Sequence, residues 1–367
     1  MADDCSPLES EIRRLIAVAG PMPVAEYMRL CLTHPRYGYY INRDPLGAAG
    51  DFVTSPEISQ MFGEMIGLWA AAVWRQMGEP ENVRIVELGP GRGTLMLDAL
   101  RAARVVHGFH SAIVLHLVEI SPVLQQIQER RLDHFAVPMF WYRRLDDVPA
   151  GPSIVIANEF IDALPMYQAV RLADGWHERV VDVVAPEGNL VFAAAADPLP
   201  HFETSLPRAL RAAPPGAIYE WRADDIALEL GRRLRHDGAA LIIDYGHDRH
   251  SLGDTLQAVT GHSFTDPLRA PGTADLTAHV DFEALAQCAE TMGARIHGPL
   301  RQRDLLLRLG IDKRAAALKA NATADQAVEI ELALSRLLAD GARGMGELFK
   351  AIAIAAPQLG PPPGFET

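Results

Sequence analysis

From residue 83 onward, short runs of apolar residues alternate with longer stretches whose apolar positions recur every three to four residues. VRIVEL, AIVLHLVEI, MFWYRRL and SIVIANEF read as strands, and TLMLDALRAAR and SPVLQQIQERRLDHF between them read as helices. Apolar strands joined by helices predict a parallel, doubly wound α/β sheet covered on both faces. Residues 166–217 break the rhythm. YQAVRLADGWHERVVDVV predicts a hairpin turning at ADG, and a Pro- and Ala-rich segment follows, so this part reads as an insertion on the sheet. The rhythm then resumes with a helix, ADDIALELGRRLRHDG, and a strand, ALIIDYG. A loop over 246–280, a helix over 281–293, an amphipathic helical stretch over 301–340 and a last buried strand, ELFKAIAIAA, complete the pattern.

Ahead of residue 83 the pattern is helical and irregular. Residues 10–19 and the stretch VAEYMRLCLTH predict two short helices, followed by a loop rich in Gly, Pro and Tyr. SPEISQMFGEMIGLWAAAVWRQMG then places Ser55 at an N-cap, Pro56 at the first helical position and Glu57 in the first turn. Its apolar residues, from Ile58 to Trp69, keep helical spacing, so one face packs on something. Trp69 and Trp74 could form a dimer face, which leaves a homo-oligomer open, but packing against the sheet is the better expectation. The division expected is a helical cap over 1–80, an α/β half over 81–165, the insertion over 166–217, and the rest of the sheet with a helical segment over 218–367.

Composition narrows the class. The chain has 367 residues, 49% of them apolar and 22% charged, as in ordinary globular proteins. A net charge of −13 argues against a nucleic-acid backbone or an anionic membrane as main partner, and suits a basic protein or peptide. Cys5, Cys31 and Cys288 lie far apart without disulfide or metal spacing, so a reducing compartment is expected. The opening MADDCSPLES resembles neither a secretory signal nor a transit peptide, and no run approaches a membrane span. A cytoplasmic, soluble protein is expected.

The candidate chemistry centres on RIVELGPGRGTLM. Gly89, Gly91 and Gly93 alternate directly after an apolar strand that ends at Glu87, and a helix begins at about Thr94. The spacing departs from the dinucleotide fingerprint, because Thr94 stands where the third glycine would be, and no phosphate-loop Lys follows. Glycines let backbone amides approach a ligand, and the helix N-terminus favours an anionic group there. A plain strand-to-helix turn remains the alternative. Glu119, ending the second strand, stands where nucleotide-binding sheets place the acid that holds a ribose diol. The set Glu87, Gly89, Gly91, Gly93 and Glu119 resembles the S-adenosylmethionine site of class I methyltransferases. That resemblance implies that the loop holds the methionine end, Glu119 the ribose and Asp146 the adenine; a solvated turn would equally explain Asp146.

GDFVTSPEISQMFGE, ELGPGRGTLM, ANEFIDALP, LIIDYG, GDTLQAV and ADLTAHVDF, in this order, resemble the MidA-type methyltransferase family over about residues 20–290. The resemblance implies a seven-stranded class I sheet with a helical cap and an inserted substrate region. It also implies S-adenosylmethionine as cofactor and a protein arginine, in a respiratory complex I-type subunit, as acceptor. A presequence like that of the family's mitochondrial member is not seen, which suggests a bacterial style.

A carboxylate can bind a guanidinium and direct attack by one of its nitrogens. Glu159, with Asn158 and Asp162 alongside, lies at the carboxyl end of the fourth strand, where open α/β sheets bind ligands. Helix capping is the competing account of Asn158 and Glu159. Asp51 and Phe52 are expected to wall the acceptor channel. Glu220 is a second candidate acid, although a solvated helix start explains it equally well. Asp244 and Tyr245, at the end of the fifth strand, are expected near the acceptor. His262 and His279 stand in polar loops that suggest a site rim, with hydrogen-bonded fillers as the alternative. His247 and His250 lack a metal-ligand context, so no metal is expected. Two other readings stay open: the same cofactor with a small-molecule or different side-chain acceptor, and a non-catalytic assembly module that retains the site.

Overall fold

The computed structural model describes residues 6–41, 53–184, 188–341 and 344–366. The chain divides into two compact units, one formed by 53–161, 224–248 and 282 onward, the other by the residues up to 52, 162–223 and 249–281.

Among its described residues, the larger unit holds seven strands: β1 (Val83–Leu88), β2 (Ile113–Val118), β3 (Met139–Tyr142), β4 (Ser153–Asn158), β5 (Gly238–His247), β6 (Arg295–Arg301) and β7 (Phe349–Ala355). They lie in the order β6-β7-β5-β4-β1-β2-β3. Strands β3, β2, β1, β4 and β5 are parallel neighbours, while β7 inserts antiparallel between β5 and β6. The strand rhythm predicts the parallel part of this sheet, and the family resemblance implies the whole seven-stranded class I arrangement. The order reverses at β1 and β4, which puts their carboxyl ends at the topological switch point. Strand β6 escapes the sequence pattern because RIHGPLR carries a Gly-Pro pair and a β-bulge between His297 and Leu300.

The helix Gln60–Gln76 packs its apolar stripe into the core with Ile85, Leu115, Ile154 and Leu241, leaving Trp69 and Trp74 only 1% and 3% exposed. These tryptophans therefore serve core packing and are not a dimer face. The single helix expected from Ser55 onward is broken. A short helix, Ser55–Ile58, ends at Ser59, whose extended backbone (φ −158°) and side chain, accepting from Met61 N at 3.2 Å, start the helix anew. Thr54, not Ser55, is the N-cap residue of the first piece. The 301–340 stretch likewise becomes Gln302–Leu309, Ile311–Lys319 and Ala324–Leu338. It divides at Gly310, in the left-handed region, and at Thr323, which forms a capping box with Gln326.

The second unit takes the first two helices, Pro7–Ala19 and Val24–Thr33, away from the expected 1–80 cap. Leu8, Ile12, Tyr27, Met28 and Leu32 form one core with Met166, Val181 and Leu276. The hairpin turning at ADG forms as expected, with Met166–Arg171 paired to Trp176–Val184. The segment read as a loop over 246–280 contains a three-stranded sheet, Gln257–Thr260, Ser263–Thr265 and Asp275–Thr277. These strands are three or four residues long, too short for periodicity to reveal.

Candidate active site

The glycine loop takes the backbone that only glycine adopts at little cost: Gly89, Gly91 and Gly93 have φ of 63°, 54° and 76°. A Cβ on Gly89 would stand 2.8 Å from Phe160 Cδ2, so the loop and the turn after β4 are in contact.

Register gathers three polar side chains around this loop. Glu87 on β1 pairs with Leu117 on β2 and Ile156 on β4. Two residues further along those chains stand Glu119 and Asn158, so alternation puts all three on one face of the sheet. Glu119 continues the ladder, its N–H donating to Tyr142 O at 2.9 Å. Its carboxylate accepts from Ser121 N at 2.8 Å and from Gln128 Nε2 at 3.1 Å. Gln128 is fully buried, donates also to Gly91 O at 2.7 Å, and accepts from Trp141 Nε1 at 2.8 Å. Two acceptor atoms on this face, Glu87 Oε2 and Asn158 Oδ1, are buried without a hydrogen-bond partner among the described residues. A buried acceptor without a donor is costly, so the pair calls for a ligand rich in donors. Burial pushes the Glu87 carboxyl up to about 8, and the neighbouring Glu119 adds to the push. Burial also raises Glu119 to about 7, against the Ser121 N–H and the Gln128 amide, which lower it.

The acceptor-side residues lie at the end of β4. Glu159 has a left-handed backbone (φ 51°), unusual for a residue with a side chain. Its Oε1 accepts from Ser55 N at 3.0 Å and from Asn158 Nδ2 at 3.1 Å. No helix follows to be capped; residues 159–165 form bends and turns. Asp244, near the end of β5, is fully buried and turned to structural work beside the acceptor-side turn. Its Oδ2 accepts from Ile161 N and its Oδ1 from Tyr245 N, both at 2.9 Å, so it clamps the turn that carries Glu159 and Phe160. Tyr245 packs edge-on against Phe349 at 5.4 Å.

Residues 65–300 match the family described as "Putative S-adenosyl-L-methionine-dependent methyltransferase". The chain belongs to this family. It is 40% identical to the protein arginine methyltransferase NDUFAF7 homologue of Drosophila melanogaster, over 95% of this chain and 84% of that one. It is 39% identical to the human protein arginine methyltransferase NDUFAF7, over 85% and 75% of the two chains. A crystal structure from Burkholderia thailandensis bound to S-adenosyl-homocysteine matches with a TM-score of 0.84 at 27% identity, covering 98% of this chain and 92% of that one.

The residues of this methyltransferase fit its cofactor. The glycine loop and the N-terminus of the helix Thr94–Ala103 would offer backbone N–H groups to a carboxylate, and Glu87 Oε2 and Asn158 Oδ1 would offer acceptors to ammonium or hydroxyl donors. Glu119 suits a ribose diol. The Thr94 hydroxyl is turned to other work: it donates to Glu57 Oε1 and accepts from Arg131 Nη1 at 2.5 Å. Asp146 sits exposed on a one-turn helix after β3, ion-paired with Arg144 at 2.7 Å. Its loop is pinned by Arg233, whose guanidinium donates to the Leu145, Val148 and Pro149 carbonyls.

The remaining candidates fall in the second unit. Asp162 is buried and its carbonyl accepts from Ala278 N and Arg222 Nη2, both at 3.1 Å. Glu220 accepts from Gln168 Nε2, Thr255 N and Thr255 Oγ1, so structural pairing occupies it. His262 is exposed with φ 59° and forms, with Gly261 at φ 54°, the two-residue turn between paired Thr260 and Ser263. A turn tip explains His262 without a rim role. His279 donates its N–H to Thr255 Oγ1 at 2.9 Å. Asp51 and Phe52 lie outside the described residues. Gln128 and Arg233 escaped the sequence reading; Gln128 stands on a helix at i+4 from Leu124, a spacing that reads as ordinary core.

Proposed function

We propose that this protein transfers a methyl group from S-adenosylmethionine to an arginine side chain of a partner protein. The observation that carries the reading is the Glu159 carboxylate, held beside the glycine loop through Phe160 and oriented by the Ser55 N–H and the Asn158 amide. The relatives named as protein arginine methyltransferases support it. The cofactor supplies an electrophilic methyl on a sulfonium, which needs no nucleophilic side chain from the protein. What the chain must supply is alignment of the acceptor and relief of its charge. A carboxylate on one edge of a guanidinium draws the positive charge toward itself and takes the proton that the attacking nitrogen loses. The acidic net charge favours a basic partner segment. A cytoplasmic location is part of this proposal, supported by the free thiols Cys31 and Cys288, and cell fractionation tests it.

Labelled S-adenosylmethionine added to a lysate lacking the protein should yield methylarginine on a protein band when the wild type is supplied. Glu159→Gln should lower transfer by about 10²-fold or more while S-adenosylhomocysteine binding changes by less than about fivefold. Label appearing in small molecules, or undiminished transfer by the variant, would reject the arginine acceptor or the role of Glu159, respectively.

A further inference from the structure

The short helix Ser55–Ile58 touches both halves of the site. At its carboxyl side, Glu57 accepts from the hydroxyl of Thr94, the first residue of the helix after the glycine loop, and Thr94 is held in turn by Arg131 Nη1 at 2.5 Å. The other Glu57 oxygen faces Arg92 Nη1 at 3.7 Å, and Arg92 lies between Gly91 and Gly93. At its amino side, Ser55 N donates to Glu159 Oε1 at 3.0 Å. Ser55 itself is fully buried, and its hydroxyl lies 3.5 Å from Gln302 Oε1, whose amide donates to Leu337 O at 3.0 Å. A piece of chain three residues long, Ser55 to Glu57, thus links the glycine loop to the carboxylate at the acceptor edge.

Four residues make too few helical hydrogen bonds to stand alone. The extended Ser59 also separates this turn from the axis of Gln60–Gln76. Buried Ser55 and Pro56 pack it in place, and the polar ties at Glu57 and at the Ser55 N–H orient it. We propose that Ser55–Ile58 is a strap that couples the state of the glycine loop to the orientation of Glu159, with Glu57 as its positioning residue. The proposal rests on the reading of Glu159 as the acceptor-side carboxylate. A glycine loop closing on its ligand draws Thr94 and Arg92 with it; Glu57 follows, and the Ser55 N–H moves the carboxylate it holds. Loading of the cofactor then prepares the acceptor side, and the C-terminal helix Ala324–Leu338, through Gln302, is the fixed support on the far side of the strap.

The test is a double-mutant cycle on S-adenosylhomocysteine affinity, measured by calorimetry on wild type, Glu57→Ala, Glu159→Gln and the double variant, with Glu57→Gln alongside. Coupling predicts that Glu57→Ala weakens binding about tenfold and Glu159→Gln about threefold, and that the double variant is no weaker than Glu57→Ala alone. Glu57→Gln, which keeps an acceptor for Thr94 but loses the attraction to Arg92, should recover part of the loss. Multiplying effects, about thirtyfold in the double variant, would overturn the strap. Should Glu57→Ala not fold, amide exchange of Ser55, Glu57 and Ile58 in the wild type decides: about fivefold slowing on S-adenosylhomocysteine addition is expected, and unchanged exchange overturns the proposal. The two readings fail separately. Multiplying effects with methyl transfer lost in Glu159→Gln would remove the strap and keep the acceptor role, and the reverse pattern would remove the acceptor role alone.

Discussion

Gln128 holds Glu119 by a 3.1 Å hydrogen bond while the same amide nitrogen reaches Gly91 O at 2.7 Å. One buried side chain therefore ties Glu119 to the middle of the glycine loop, and Trp141 fixes which way the amide points. Gln128→Leu would leave the Gly91 carbonyl and Glu119 Oε2 without this donor in a buried place. Loss of a donor to a charged group costs about 1.5–3 kcal/mol, so S-adenosylhomocysteine should bind roughly tenfold to a hundredfold more weakly by calorimetry. Gln128→Glu should be at least as damaging, since it sets a carboxylate against Glu119.

Gly89 has no room for a side chain. A Cβ there meets Phe160 at 2.8 Å, and φ of 63° strains any residue that carries one. Gly89→Ala should lower stability by about 1–3 kcal/mol in urea unfolding and weaken cofactor binding more than tenfold. Pairing it with Phe160→Leu should recover some of both, because the flexible side chain can yield.

Glu87 and Glu119 make the ligand-free protein sensitive to pH in a specific direction. Both carboxyls rise above the value of about 4.5 that they have in an unfolded chain, to about 8 and about 7. Between these limits the folded state binds more protons than the unfolded one, so stability is greatest below about pH 4.5 for these groups and falls as pH rises through 7 and 8. Thermal melting without ligand should therefore decline from pH 5.5 to pH 8.5, and Glu87→Gln should flatten that decline.

Ligand binding should show the opposite trend. A cationic donor on Glu87 favours the ionised carboxylate, so S-adenosylmethionine affinity should rise with pH below about 8, by up to about tenfold per unit for one linked proton. Calorimetry in buffers of different ionisation enthalpy should report proton release in the wild type and little in Glu87→Gln.

Asp244 carries the turn that presents Glu159. Both its oxygens accept backbone N–H groups in a fully buried setting, at Ile161 and Tyr245. Asp244→Ala should cost about 3 kcal/mol or more in the urea midpoint, and should reduce methyl transfer beyond what the stability loss explains. Asp244→Asn, which keeps one acceptor, should cost less.

Much of this site is written in local order. A glycine loop after an apolar strand, a carboxylate at the end of the next strand and Asn-Glu at the end of the fourth can be read off neighbouring residues. Strand and helix periods depend on contacts within one turn or one pleat, and so Val83–Leu88, Ile113–Val118 and Gly238–His247 were legible. What joins distant parts was not. That Glu57 meets Thr94, that Ser55 meets Glu159, or that Asp244 clamps Ile161 depends on partners 37, 104 and 83 residues away. Helix pattern at residues 55–77 showed no sign of the break at Ser59, because Ile58 and Met61 keep helical spacing across it and a serine inside a helical stretch becomes a cap only when the backbone around it is set by packing. The same limit hid the sharing of residues 7–33 with the inserted strands: an amphipathic helix declares that it has a buried face, and only packing decides what covers it.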